Sequence, residues 1–401
     1  MPETLKIGFA TPEYVTEENF DGGLANYLGR VTSALSSLGH NVHVVTLSSI
    51  NENVFEYDGV TVHRVMLKPS WHSVDRFTRY RLTTTLRWLN LSTQVYRKLK
   101  QLHRTTAFDL IQYPNYSFCG VFSIPLLRTS HLIRASSYEP AWHNAAGFRR
   151  NLDTKTVERL EQLQFRLSSN VVAPSNTLQK MLIQEARLTN VRVVRTPFFD
   201  EVQDWDTQLY DQFLRGRKYL LYFGQFQLHK GFHILIHTLP KFLERQRDAS
   251  VVLVGRDAET ILAPSMADYA SALCNKYRNR LMIMNHLPHC QLYPIIAGAH
   301  LIALPSLIDN SPNACLESMG LAKVVIGTKG TSLDELITDK VNGFLVAPNS
   351  TDELSAKLIE AWTDPNLKEM GERARESMTE FSKEKAVENL LSYYREVLSS
   401  S

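Results

Sequence analysis

The sequence predicts an α/β protein made of two Rossmann-like, doubly wound domains that face each other across a cleft, and three observations lead to this fold class. Short apolar runs rich in Val, Ile and Leu alternate with amphipathic segments, which is typical of buried parallel strands joined by helices. A polar stretch interrupts this alternation at residues 200–218. The chain has 401 residues, which is more than one hydrophobic core usually supports.

The first domain is predicted to span residues 1–200. The segment GLANYLGRVTSALSSLG, between the first two strand candidates, has the apolar spacing of a helix. The closing helix EKAVENLLSYYREVLSS, at about residues 384–401, is expected to pack back on this domain. The strand candidates of the domain are LKIGFA, HNVHVVTL, FDLIQY, HLIRASS, NVVAPS and VRVVRTPF.

The second domain is predicted to span residues 218–383, after a linker at residues 200–218. Its strand candidates are YLLYFG, SVVLVG, RLMIMNHL, HLIALPS, KVVIGT and GFLVAP, with helical patterns between them. Open α/β sheets bind their ligands at the carboxyl ends of the strands. A ligand site is therefore expected where those ends face the cleft.

Composition and charge limit the class of protein. Hydrophobic residues make up 44% and charged residues 21% of the chain, as in soluble globular proteins. The four cysteines form no C-x-x-C pair, which argues against a zinc site and a disulfide framework. The start of the chain lacks a signal-peptide pattern, and no apolar run reaches the roughly 18 residues needed to span a bilayer. We therefore expect a cytoplasmic protein.

The segment SLIDNSPNACLESMG, residues 306–320, carries two carboxylates eight positions apart, Asp309 and Glu317. It follows a strand candidate, and Ser311 and Pro312 are predicted to be the N-cap and the first residue of a helix. The backbone amides at a helix start favour an anion. The two acids could then bind the two ends of a nucleotide sugar, with the amides on its phosphates; the plain alternative is a helix-start charge and a solvated Glu. The predicted amides belong to Asn313, Ala314 and Cys315.

Two further loops follow strand candidates. In YLLYFGQFQLHKGFHIL, Lys230 precedes a helix and could neutralise a pyrophosphate, although a surface lysine is an equally simple interpretation. In NFDGGLANYLGRV, Gly22 and Gly23 open a helix, so that the backbone can approach a ligand closely. This glycine pair does not match the G-x-G-x-x-G pattern of dinucleotide sites.

Along the chain the glycine pair comes first, the lysine loop second and the two acids third. Together, in that order, these three features resemble the retaining glycosyltransferases of the GT-B fold, in the large family 4 group. The resemblance covers nearly the whole chain and includes FGQFQLHKG and LESMGLAKVVIGTKGTSLDELITDKVNGFLV. It implies that Lys230 binds the donor phosphates and that Glu317 binds the ribose. It further implies that Asp309 contacts the donor sugar and that the loop around Leu287 contacts the base.

The chain departs from the family pattern at several positions. Asp309 stands where the family usually has Glu, and Gln225 stands where it usually has Arg before the lysine. Ser136 and Ser137 occupy the region of a family histidine that follows a strand. Arg195 could supply the charge that Gln225 lacks. On the acceptor side the predicted residues are Ser137, His143 and Arg195, with a surface histidine as the plain alternative for His143.

The resemblance implies a mechanism without a protein nucleophile. The donor's own phosphate takes the acceptor proton, and the acceptor attacks the donor sugar from the face that the diphosphate leaves. Lys230 and Asp309 are then the predicted catalytic residues, and no metal or other cofactor is expected. The segment DWD, residues 204–206, resembles the metal-binding Asp-x-Asp of the other glycosyltransferase fold, but it lies in the predicted linker.

A basic segment suggests a partner for the first domain. From Arg76 to Arg104 the chain has eight Lys or Arg and no acid, with aromatic residues interleaved. Such a composition suits an anionic membrane surface, and residues 70–104 are the predicted contact. Two ordinary domain helices are the plain alternative, and nucleic acid is not an expected partner.

The sequence therefore predicts a glycosyltransferase that moves a UDP-linked hexose or uronic acid to a glycan acceptor, lipid-linked, in polysaccharide synthesis. Its location would be cytoplasmic, with peripheral attachment to the inner face of the membrane. Two alternatives remain: a nucleotide-sugar epimerase on the same fold, and a non-catalytic module that binds a sugar nucleotide.

Overall fold

The computed structural model describes residues 4–17, 23–66, 78–147, 150–197 and 204–400. The chain divides into two compact units. The first comprises residues 1–140, 149–197 and 381–401, and the second comprises residues 141–148 and 198–380. Residues 141–148, which the sequence assigns to the first domain, therefore group with the second unit.

The first unit is built around a sheet in which the described strands follow the order β3-β4-β2-β1-β5-β6-β7-β8. Every pairing in it is parallel except that of β3 with β4. Helices pack on this sheet, which is the arrangement expected for buried parallel strands. The strands are β1 (Lys6–Thr11), β2 (Asn41–Ser48), β3 (Val54–Tyr57), β4 (Val60–Met66), β5 (Leu110–Pro114), β6 (Ser130–Arg134), β7 (Val171–Ala173) and β8 (Val191–Val193). The α-helices among the described residues before position 200 are α1 (Gly23–Ser37), α2 (Thr83–Thr106), α3 (Ser123–Leu126), α4 (Glu139–Ala145), α5 (Leu152–Leu167) and α6 (Asn176–Gln184).

Residues 83–104 of the basic segment lie in the long helix α2, whose first turn is capped from another helix. Asp153, in the first turn of α5, accepts hydrogen bonds from the amides of Thr84 and Thr85, each at 2.9 Å. Burial would raise the pKa of Asp153, but these bonds outweigh it and lower the pKa below its usual value. The cap therefore joins α2 to α5 and fixes where α2 begins.

The aromatic residues of the basic segment do not all face outward. Trp88 packs edge-to-face on Tyr116 and Phe118, at ring-centroid distances of 4.9 and 5.0 Å. Tyr80, by contrast, lies in the turn before α2 and is 66% exposed. Part of the predicted membrane contact, residues 70–77, lies outside the described residues.

The second unit has a parallel sheet of six described strands in the order β11-β10-β9-β12-β13-β14. Strands β9 and β12 are neighbours, and their carboxyl ends lie at the same edge of the sheet. The predicted linker is not a bare connection, because Gln208–Phe213 forms a helix, α7. The strands are β9 (Lys218–Phe223), β10 (Ala249–Val254), β11 (Leu281–Met284), β12 (Leu301–Leu304), β13 (Val325–Thr328) and β14 (Phe344–Val346). The remaining helices of the unit are α8 (Phe232–Arg245), α9 (Met266–Leu273), α10 (His289–Gly298), α11 (Asn313–Gly320), α12 (Thr351–Trp362) and α13 (Leu367–Ser377).

The closing helix α14 (Lys383–Ser399) belongs to the first unit. The hydroxyl of Tyr394 donates a hydrogen bond of 2.7 Å to Oε1 of Gln112, which lies on the central strand β5. Near the surface, Arg192 pairs with Glu396 and lies 5.2 Å from the ring centroid of Tyr393. The helix is therefore anchored to the sheet by one buried hydrogen bond and by contacts at its exposed rim.

These observations confirm the predicted fold class, two α/β units with mainly parallel sheets. None of the helices in the described ranges combines the length and the apolar character that a bilayer-crossing helix requires.

Candidate functional site

The loops after the neighbouring strands β9 and β12 are held together by their backbones. The carbonyl oxygen of His229 accepts hydrogen bonds from the amides of Leu307 and Ile308, at 2.9 and 3.3 Å. The first loop carries Lys230 and the second carries Asp309. Two residues that the sequence places in separate motifs are therefore brought to one edge of the sheet.

Gly231 allows these two loops to approach each other. Its φ of +66° lies in the left-handed region, and a Cβ atom at this position would lie 1.8 Å from the carbonyl oxygen of Pro305. Any side chain at position 231 would overlap with backbone, which cannot move aside as a flexible side chain can. Gly231 is also the N-cap of α8, so the start of that helix and the position of Lys230 depend on the same contact.

The charged groups of the two loops form an ion pair. Nζ of Lys230 lies 2.8 Å from Oδ2 of Asp309, with side-chain exposures of 32% and 11%. Ser306 donates a weaker hydrogen bond of 3.4 Å to the same carboxylate oxygen. The backbone oxygen of Asp309 accepts two more bonds from Ser332, which follows β13, at 3.2 Å from its amide and 2.6 Å from its hydroxyl. A phosphate that approached Lys230 would meet a cation already paired with a well-anchored carboxylate.

His229 is a neutral, buried neighbour of this pair. Burial, with a further contribution from the charge of Lys230, lowers the pKa of His229 to about 4, although Asp309 opposes the shift. Its Nδ1 atom is buried and has no hydrogen-bond partner within the described part of the chain. The ring of Trp142, from α4, lies 5.7 Å away. At neutral pH this histidine adds no charge to the site.

The start of helix α11 differs from the prediction. The helix begins at Asn313 with Pro312 in the N-cap position, so the assignment of Ser311 as N-cap and Pro312 as first helical residue is wrong. The reason is local geometry: Pro312 has a ψ of 79°, which is not helical, so the helix starts one residue later.

The amides at this helix start are partly used within the turn itself. The amide of Asn313 donates to the carbonyl of Ser311, and that of Cys315 donates to the carbonyl of Pro312, both at 2.9 Å. The predicted anion site of three amides, including that of Ala314, is therefore less open than expected. Oδ1 of Asn313 is a buried acceptor that lacks a hydrogen-bond partner among the residues described. The thiol of Cys315 is fully buried, and burial raises its pKa.

Glu317 lies on the second turn of α11, and its side chain is only 7% exposed. The plain alternative of a solvated glutamate is therefore wrong. Its Oε1 lies 3.3 Å from Nε2 of His289, the first residue of α10, whose side chain is 39% exposed. A nearly buried carboxylate with a half-exposed imidazole beside it can accept a hydrogen bond from a ligand that reaches this edge.

The two other predicted donor residues in this unit lie in loops after strands. Gln225 follows β9 and is half-buried; its backbone oxygen accepts a hydrogen bond of 2.7 Å from the hydroxyl of Tyr222. Leu287 is half-buried in the loop between β11 and α10. Their contacts with a phosphate and a base stay predictions.

The predicted acceptor-side residues occupy different environments. The backbone oxygen of Ser137, after β6, accepts a hydrogen bond of 3.0 Å from the side chain of Asn115. The guanidinium of Arg195 lies 5.1 Å from the ring centroid of Phe381, and its role as a replacement cation stays a prediction. His143 is not a surface histidine, because it is 6% exposed within α4.

The glycine loop is only partly described. Gly23 is the exposed first residue of α1, whereas Gly22 lies outside the described residues. Contact of this loop with a ligand stays a prediction.

The segment DWD has a structural environment in the second unit. Asp206 accepts hydrogen bonds from the side chain of Gln291 at 2.8 Å and from the amide of Gln208 at 3.1 Å. These bonds, the first above all, lower the pKa of Asp206. In the described ranges no group of three or more His, Cys, Asp or Glu side chains is positioned to hold a metal ion. The expectation of a metal-independent site stays a prediction.

Sequence reasoning missed His289 and His229 as members of this region. His229 is adjacent to Lys230, so the pattern HKG could have drawn attention to it. The segment NHLPHCQL contains two histidines, and nothing in their spacing indicates which one lies beside Glu317.

Comparison with family models identifies both halves of the chain. The model described as glycosyl transferases group 1 matches residues 211–392. The model described as glycosyltransferase family 4 matches residues 21–198. Together the two models cover most of the chain.

Individual proteins are also similar to this chain. An uncharacterized glycosyltransferase of Methanocaldococcus jannaschii is 24% identical over 367 residues, which is 88% of this chain and 87% of that protein. Sucrose-phosphate synthase from Thermosynechococcus elongatus has a TM-score of 0.80 at 18% identity and covers 99% of this chain and 100% of its own. Anabaena HepE, solved in complex with UDP and glucose, has a TM-score of 0.72 at 18% identity with the same coverage. These structural likenesses confirm the predicted GT-B fold.

The Gly231 contact can be tested by substitution. Gly231→Ala should reduce the free energy of unfolding by ~3 kcal/mol, because the new methyl group would overlap with the carbonyl oxygen of Pro305. Gly216→Ala is the matched control, since Gly216 has a φ of +77° but no atom within 4 Å of an added Cβ. The control should cost about 1 kcal/mol from backbone strain alone. Urea denaturation of both variants measures the difference, and equal losses would show that the close contact is unimportant.

Proposed function

We propose a donor, an acceptor and a mode of transfer for this chain, which belongs to the group 1, family 4 type of glycosyltransferases. The donor is a UDP-linked hexose or uronic acid, and the acceptor is a glycan, lipid-linked, in polysaccharide synthesis. Transfer occurs with retention of configuration and without a metal ion.

The donor proposal rests on one contact. Nζ of Lys230 lies 2.8 Å from Oδ2 of Asp309, and the two residues belong to loops that follow two neighbouring parallel strands. Ligands of open α/β sheets bind at this edge. A cation beside a carboxylate suits a ligand in which a phosphate is bonded directly to a sugar: the ammonium attracts the phosphate oxygens, and the carboxylate accepts hydrogen bonds from sugar hydroxyls. The nearly buried Glu317 would accept a hydrogen bond from the ribose.

In the proposed reaction the bond between the sugar C1 and the β-phosphate oxygen breaks while the acceptor oxygen forms a bond to the same face of C1. The acceptor proton moves to an oxygen of the leaving diphosphate. Lys230 stabilises the negative charge that develops there, and Asp309 orients the sugar. Because a cation of the protein carries this task, no metal ion is required.

The choice of UDP is supported by analogy. Anabaena HepE, which shares the fold, was solved in complex with UDP-glucose. The proposal extends the nucleotide, and not the identity of the sugar, to this chain.

The proposed acceptor side includes an anionic membrane surface. Arg79, Tyr80 and Arg81 form the turn before α2, and the φ values of Arg79 and Tyr80 are +53° and +59°. All three are exposed, as is Arg87 one turn into the helix. Each cation near an anionic bilayer contributes about 1 kcal/mol to binding, and an exposed tyrosine suits the interface. Peripheral attachment would bring the enzyme to a lipid-linked glycan on the cytoplasmic face.

The decisive experiment is a panel of nucleotide sugars and glycan acceptors, scored by UDP release with and without EDTA. Release that depends on an added acceptor and survives EDTA supports the proposal. Sugar interconversion without acceptor would instead favour an epimerase, and binding without release would favour a non-catalytic module. Loss of release in EDTA, with recovery on manganese addition, would contradict metal independence.

Substitutions should separate the roles of the charged residues. Lys230→Ala should lower kcat by roughly 10²-fold or more, because the leaving diphosphate loses its cation. Asp309→Asn should lower kcat while UDP affinity is kept, since Lys230 retains its charge. Glu317→Gln should mainly weaken UDP binding and raise KM.

Steady-state kinetics and UDP titration calorimetry measure these effects. Lys241→Ala is the matched lysine control. Lys241 lies on α8, its side chain is 58% exposed, and the variant should behave as the wild type. Equal loss of UDP affinity in Asp309→Asn and Glu317→Gln would contradict the proposed division of labour.

Membrane attachment can be tested by vesicle flotation. The wild type should float with anionic vesicles at low salt, and changing Arg79, Arg81 and Arg87 together to Gln should abolish flotation. The control changes Arg215, Lys241 and Lys276 to Gln, which removes the same charge from exposed sites of the second unit. A wild type that stays in the soluble fraction, or a control that loses binding equally, would rule out a specific membrane face.

A further inference from the structure

His289 and Glu317 form a polar pair whose members differ in exposure. The imidazole is the first side chain of α10 and is 39% exposed, whereas the carboxylate is 7% exposed. A ligand that reaches the carboxylate from solvent therefore meets the imidazole at the same position.

The distance between the two groups is informative. Nε2 of His289 lies 3.3 Å from Oε1 of Glu317, which is longer than an ordinary N–H···O hydrogen bond. Two atoms this far apart can both lie within about 2.8 Å of a third oxygen, because the three separations form a nearly equilateral triangle. A single hydroxyl group can then donate its proton to the carboxylate and accept a hydrogen bond from the imidazole N–H.

The orientation of the imidazole is set by its own helix. Its ring packs edge-to-face on Tyr293, one turn further along α10, at a centroid distance of 5.6 Å. Tyr293 is 2% exposed and packs in turn on Trp205 at 6.5 Å. The half-exposed histidine is thus supported from behind by a buried aromatic side chain, and it can hold one direction towards Glu317.

We propose that His289 and Glu317 together bind one hydroxyl of the nucleotide ribose, and that His289 makes the site select a ribonucleotide over its deoxy analogue. This inference rests on the proposed function, in which Glu317 lies at the ribose. His289 adds a donor to a group that can only accept, and a hydroxyl needs both to be fully satisfied. When the ligand lacks the hydroxyl, a site that pairs both its proton and its lone pair loses more binding affinity than a site that has only one of these partners.

The test measures binding of UDP, 2′-deoxy-UDP and 3′-deoxy-UDP to the full chain by titration calorimetry. The wild type should prefer UDP to one of the two deoxy analogues by roughly 10-fold or more. His289→Ala should weaken UDP binding by about 10-fold and remove most of this preference. His289→Gln should retain the preference, because the glutamine amide nitrogen can replace Nε2–H. His289→Asn, whose amide is one methylene shorter, should lose it.

The matched control is His237→Ala, which removes an exposed histidine from α8 and should bind all three nucleotides as the wild type does. The contrast between the Gln and Asn variants keeps the test valid if His289→Ala does not fold.

The outcomes separate this inference from the proposed function. A wild type that does not bind UDP would overturn the donor proposal and this inference with it. A wild type that binds UDP, with variants that keep the wild-type ratio of UDP to deoxy-UDP affinities, would overturn the role of His289 alone. Tighter UDP binding by His289→Ala would show that the histidine withholds Glu317 from the ligand, which also contradicts the proposal.

Discussion

The close approach of Gly231 to the carbonyl oxygen of Pro305 is the constraint on which the geometry of the candidate site depends. It lets the loop after β9 lie against the loop after β12, so that the carbonyl oxygen of His229 can accept two amide hydrogen bonds from that loop. Lys230 and Asp309 then come within 2.8 Å of each other. Without a glycine at this position the loops would separate, and the ion pair would lose the backbone that positions it.

Burial sets the electrostatics around this contact. His229 is held neutral by burial and by the charge of Lys230, so that the charged groups of the pair are one ammonium and one carboxylate. In a partly exposed site each charge loses some of its hydration, and pairing the ammonium with the carboxylate compensates both groups for that loss. A phosphate bound at Lys230 would therefore lie beside the carboxylate of Asp309.

The sequence pattern predicts the two α/β units correctly, but it does not predict the start of α11 or the burial of His143. The alternation of apolar runs predicted two parallel α/β units because buried strands leave a strong sequence signal. Ser311 was wrongly assigned as an N-cap because the backbone angle of Pro312 delays the helix by one residue, and propensities do not resolve such a shift. The plain alternative of a surface histidine at position 143 is wrong, and the sequence does not reveal this because a single polar residue near the end of a short helix carries no periodic signal of its burial.

The sequence alone predicts the fold class, the family, the loops after strands that carry Lys230 and Asp309, and the helix that carries Glu317, because each is recorded in consecutive residues or in a short motif. Only the tertiary structure decided which of these groups touch. Lys230 and Asp309 are 79 positions apart, and their contact follows from strand order and from one backbone approach that no local pattern encodes. The partnership of His289 with Glu317 was equally invisible, since it depends on how the starts of α10 and α11 lie beside each other, which is a property of packing rather than of spacing along the chain.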